Sequence, residues 1–153
     1  MRGTRLALVA GVLVVVALVA VGGGLAVAQH ENASAKNAAK KTHPKVLAAR
    51  DIQEEINGKQ SKATFVELTL EPGADGKPHR HPGPVFGYVL EGEVEFAVDD
   101  GAVQTLKTGD TFYEPGMALH AVMRNPTDKT SRVFVVLVHP RDAKQLAIPE
   151  PAK

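Results

Sequence analysis

Cysteine and tryptophan are both absent from the 153 residues, and aromatic residues make up only 5%. Without cysteine there is no disulfide, no thiolate metal site and no thiol nucleophile, so any metal must be held by histidine and carboxylate. Neither sign of charge dominates: 18 Lys and Arg against 17 Asp and Glu leave +1, and no basic cluster is dense enough to suggest nucleic acid as a partner. The chain also lacks a fixed-period repeat, a heptad pattern and a glycine-rich phosphate loop, which argues against repeat arrays, coiled coils and P-loop chemistry. What remains, 44% hydrophobic and 23% charged residues, is the balance of a globular protein with room for one ordinary domain.

The first residues read separately from the rest. Arg2 and Arg5 precede Leu6 to Ala28, a run without one polar side chain that ends in Ala26-Val27-Ala28. A basic start, an apolar stretch and an Ala-x-Ala ending describe an export signal over 1–28, cut after Ala28. The alternative is an uncleaved anchor, because 23 apolar residues suffice for a bilayer crossing of about 20. Either places the remainder outside the cytoplasm, periplasmic or extracellular, with membrane contact only through residues 6–28 if they are kept. Cleavage would remove two positive charges and no negative one, turning +1 into −1. Residues 29–44 are polar and alanine-rich and read as a linker in which His30 and His43 are solvated bystanders. Residues 141–153, with Pro149-Glu150-Pro151, read as a surface tail.

Between them, over 45–140, short apolar runs recur between Gly, Pro, Asn and Asp, which predicts an all-β barrel or sandwich. The expected strands lie near 46–52, 63–70, 85–90, 93–98, 102–106, 111–113, 118–123 and 132–139. In Glu93-Val94-Glu95-Phe96-Ala97-Val98, Val94, Phe96 and Val98 share one face, so that face is buried. Asp99-Asp100-Gly101 predicts a tight hairpin turn with positive φ. Val133 to Val138 is apolar on both faces, which fits either burial within one chain or packing on a second copy, a homodimer.

One stretch, Gly73 to Gly92, carries the chemistry. His79 and His81 sit one residue apart, and on an extended segment i and i+2 face the same way, so two imidazoles aim at one point. A third, His120, follows in Gly109-Asp110-Thr111-Phe112-Tyr113-Glu114-Pro115-Gly116-Met117-Ala118-Leu119-His120. Glu114 reads either as an exposed strand carboxylate or as an outer partner orienting an imidazole. His139, beside Pro140, reads as structural or exposed.

Together these residues resemble the cupin family, whose first motif is G-x5-H-x-H-x3,4-E-x6-G and whose second is G-x5-P-x-G-x2-H-x3-N. Gly73, His79, His81 and Gly92 match the first; Gly109, Pro115 and His120 match the second. The resemblance implies a double-stranded β-helix (a jelly-roll barrel) in which His79, His81 and His120 meet at a divalent transition metal, with Fe, Cu, Ni, Mn and Zn not distinguished. It departs in three places. The glutamate ligand falls on Val85, or on Phe86 with the longer gap; Met117 replaces the second motif's glycine; and Asn125 comes one residue late. Three neutral imidazoles would leave the ion its full +2 charge, favouring anionic oxygen ligands.

Apolar walls for a barrel mouth are expected among Phe86, Tyr88, Phe112 and Met117, with Phe96, Met123 and Phe134 as further candidates. The resemblance implies a small-molecule ligand or substrate, and points to oxygen-dependent cleavage of a small enolisable compound, a dioxygenase reaction that needs no protein nucleophile. The other function class is a non-catalytic cupin that binds or senses a small ligand. Export adds that the ion need not be iron, because copper and zinc bind imidazole more strongly.

Overall fold

Asn57 and Gly58 both hold positive φ, 52° and 70°, the mirror-image turn that these two residues accept at little steric cost. The turn folds β1 (Thr42–Ile56) back on β2 (Lys59–Leu70), with Ile56 opposite Lys59. The structure is a computed structural model and describes residues 40–151. The signal or anchor over 1–28, His30 and most of the 29–44 linker lie outside the described residues. The end of that linker does not: Thr42 to Pro44 already belong to β1. His43 there sets its Nε2 2.8 Å from Glu71 Oε1, so it has a partner and is more than a solvated bystander.

Eight further strands follow: β3 (His79–Arg80), β4 (Val85–Glu91), β5 (Glu93–Val98), β6 (Gln104–Lys107), β7 (Thr111–Glu114), β8 (Leu119–Arg124), β9 (Ser131–Pro140) and β10 (Ile148–Pro149). They form two five-stranded antiparallel sheets, in the orders β1-β2-β9-β4-β7 and β10-β3-β8-β5-β6. The alternation read from the sequence fills the interior from both sheets. Val85, Val89, Val133, Val135 and Leu137 point in from one; Val94 and Phe96 point in from the other. Each such side chain contributes on the order of 1.5–3 kcal/mol when fully buried.

Gly87 shows how tightly this interior closes. A Cβ there would lie 2.1 Å from the Phe112 ring, so the ring can lie on the β4 backbone only because Gly87 has no side chain. Phe112 also meets Phe96, with centroids 4.5 Å apart, and both rings are buried core.

Three expectations change. Phe86 and Tyr88 alternate with inward Val85, Gly87 and Val89, so they point away from the interior and line no barrel mouth; they are 51% and 43% exposed. β9 lies between β2 and β4, so its edge is already paired and only its outer face is open to a second copy. In the turn at 99–101 the positive φ falls on Asp99 (50°), not on the glycine. Asp99 holds that strained conformation by accepting from the Leu119 backbone N–H at 2.8 Å while its own N–H donates to the Leu119 carbonyl at 2.8 Å.

Candidate metal centre

The β3–β8 ladder pairs His79 directly with His120, and partners in an antiparallel pair project to the same face. His81, two residues on, joins that face. The three imidazoles form a cluster whose ligand atoms lie within 4.8 Å of one another. Ring centroids are 4.7 Å apart for His79 and His81 and 5.0 Å for His79 and His120.

Hydrogen bonds decide which way the first two imidazoles present themselves. His79 Nδ1 lies 2.8 Å from the Lys77 carbonyl, and His81 Nδ1 is bonded to the Leu146 carbonyl. A carbonyl only accepts, so each Nδ1 carries the proton and each neutral ring turns the lone pair of Nε2 inward. Those two nitrogens face each other at 3.1 Å. Two lone pairs at that distance repel unless a cation lies between them. Two ligands at about 2.1 Å and a right angle on a metal are about 3.0 Å apart, so the pair fits adjacent positions on one ion. His120 adds a second sign: it is buried, and among the described residues neither of its ring nitrogens has a well-formed hydrogen bond. A buried polar atom left without a partner costs roughly 1–3 kcal/mol, which a metal bond would offset.

Glu114 is not the exposed carboxylate that was one reading of the sequence. At 3% exposure it is among the most buried polar residues, with Oε2 3.2 Å from His120 Nδ1 and 3.6 Å from His81 Nε2. Burial pushes its carboxyl up to about 8. Burial, reinforced by the neighbouring His79 and His81, pulls His120 down to about 3, and burial also lowers His81. The metal-free cluster therefore resists charge at every buried member, and only a bound cation would favour an ionised carboxylate.

Met117 takes φ 64° at the position where the second motif has glycine. Its side chain is exposed, and its backbone clasps the histidine strand: its N–H donates to the His81 carbonyl, and its carbonyl accepts from Arg80 Nη1, both at 2.8 Å. His139 is buried away from the cluster, with Nδ1 donating to the Pro140 carbonyl and Nε2 2.9 Å from the Thr64 hydroxyl, a structural role.

The tail assigned to the surface contributes most among the features missed in the sequence. β10 pairs with β3, Ile148 opposite Arg80 and Pro149 opposite His79. Glu150 accepts from Arg80 Nε at 2.9 Å and Nη2 at 3.2 Å, and Leu146 packs on the core while its carbonyl fixes His81. A two-residue strand has no periodicity to detect, so no sequence signal announces it. Deleting residues 146–153 is expected to free the His81 ring and weaken Ni²⁺ binding about 10–100-fold, as loss of a ligand-orienting partner commonly does. Calorimetric titration of the truncated chain reads this; an unchanged affinity would show that the tail does not orient His81.

An all-β fold that gathers three imidazoles able to hold a metal ion defines the class, a jelly roll with a candidate metal site. Residues 66–137 match the cupin domain. A search of the curated proteins found no match. Among solved structures, a conserved double-stranded β-helix protein from Klebsiella pneumoniae subsp. pneumoniae MGH 78578 is similar at TM-score 0.54 and 22% identity, over 72% of this chain and 86% of that one. KdgF from Halomonas sp. is similar at 0.51 and 26%, over 66% and 81%. Oxalate oxidase in complex with the substrate analogue glycolate is similar at 0.53 and 18%, over 69% of this chain and 54% of its own. The first and third of these likenesses concern the fold alone.

Proposed function

We propose that this chain is an exported cupin that holds one divalent transition metal through His79, His81 and His120 and uses it in oxygen-dependent cleavage of a small enolisable compound. The observation that carries the metal is the pair of inward Nε2 atoms at 3.1 Å, each oriented by a carbonyl behind it. A metal bound there would supply Lewis-acid and oxygen chemistry to ligands with anionic oxygens. The chain's own contribution is positional. Lys77 and Leu146 keep two donors aimed, and Phe96, with its ring centroid 5.3 Å from that of His120, shields the third from water.

The test is metal content by mass spectrometry of protein recovered from the exported fraction, followed by oxygen uptake with β-diketones, flavonols and catechols. Substrate-dependent uptake by metal-loaded protein supports the enzyme. Metal without uptake leaves a ligand-binding or sensing cupin. A metal-free protein whose His79→Ala and His120→Ala variants bind ligand as the wild type does would exclude the metal site and the oxygen chemistry, and leave a ligand-binding cupin that works without metal. The proposal includes a homodimer on the outer sheet face, where Phe86, Tyr88 and Tyr113 are exposed together; light scattering distinguishes twice the chain mass from one.

A further inference from the structure

We infer that Glu114 is a fourth ligand of the metal, the carboxylate having moved from β4 to the facing position on β7. The inference rests on the three-histidine site proposed above. In the first motif the glutamate position falls on Val85, which cannot bind a metal. In the β4–β7 ladder the residue directly opposite Val85 is Glu114. Cross-strand partners share a face with Cβ atoms about 5 Å apart, so a carboxylate on either strand enters the same space. Both side chains point inward, at 2% and 3% exposure.

The carboxylate faces the metal side of the cluster. His81 Nδ1 is engaged with the Leu146 carbonyl, so the nitrogen 3.6 Å from Glu114 Oε2 is Nε2, the one turned toward the ion. A role confined to orienting His120 would need an aligned hydrogen bond from its ring to the carboxylate, yet Nδ1, although 3.2 Å from Oε2, makes no such aligned bond among the described residues. The buried carboxylate flanks the three-imidazole cluster, and its three side-chain torsions supply the remaining travel. With Glu114 bound, the site carries +1 in place of +2. About two of six octahedral positions then stay open, enough for one bidentate oxygen ligand.

Calorimetric titration of the full-length chain with Ni²⁺ tests the exchange. Glu114→Gln and Glu114→Val are expected to weaken binding about tenfold or more, and Val85→Glu combined with Glu114→Val to restore it to within about threefold of wild type. Only a ligand can be moved across the ladder in this way; a merely structural carboxylate would not be rescued. Wild-type affinity in Glu114→Gln, or a folded double variant as weak as Glu114→Val, overturns the inference while leaving the histidine site intact. No Ni²⁺ binding by the wild type would defeat the histidine reading itself. Because the double variant can fail to fold, a crystal structure of the Ni²⁺-loaded wild type provides the second measurement. A Glu114 oxygen within about 2.2 Å of the ion supports the inference, and a water in that place overturns it.

Discussion

His120→Ala is expected to weaken Ni²⁺ binding more than about 100-fold, exceeding the loss usual for partners outside the ligand set, and to abolish stabilisation by the metal. A ligand that binds only the folded chain at 100 times its Kd adds about 2.7 kcal/mol, a rise in Tm on the order of 10 °C for a domain of this size. The wild type should show that rise with Ni²⁺, and His120→Ala should show none. Without metal the two chains should melt close together. The truncation leaves a cavity, which destabilises, but it also removes two buried nitrogens that make no well-formed hydrogen bond among the described residues, which stabilises by a comparable amount. A retained Ni²⁺-dependent shift in the variant would place the metal elsewhere.

The second large effect concerns Asn125, the residue one position late against the second motif. It is 1% exposed. Its amide shares two hydrogens among the carbonyls of Leu70 (3.1 Å), Glu71 (3.2 Å) and Lys129 (2.7 Å), while Oδ1 accepts from Thr127 N–H at 3.0 Å and Thr127 Oγ1 at 2.8 Å. One side chain thus ties the end of β2 to the turn that leads into β9. Asn125→Ala leaves several of these groups buried without partners and should destabilise the chain by roughly 3–5 kcal/mol. Ni²⁺ affinity in the folded fraction should stay unchanged, because none of these bonds reaches the histidines. Urea denaturation gives the first value and calorimetry the second. A change below about 1 kcal/mol would show that water replaces the amide without loss.

Most strands were legible because alternation is a local property. Val94 and Phe96 announce a buried face within one strand, and β5 runs over the expected residues. The Asn57-Gly58 turn was equally readable from its two residue types, both of which accept positive φ. Glu114 also carried a readable signal: Phe112 is buried, and two residues on along the same strand Glu114 must share its face. The two-residue strands β3 and β10 had no such signal, since their pairing is decided by the register of β8 and by where the tail returns.

By itself the sequence determined that an all-β chain brings His79 and His81 to one face and supplies His120 at motif spacing, because residue alternation on a strand dictates facing. The tertiary structure alone decided that His79 stands opposite His120, that the tail carbonyl of Leu146 holds the proton of His81, and that Glu114 occupies the space facing Val85. These depend on ladder registers between segments distant in the chain. A register is set by packing of the whole core, and no local pattern encodes it.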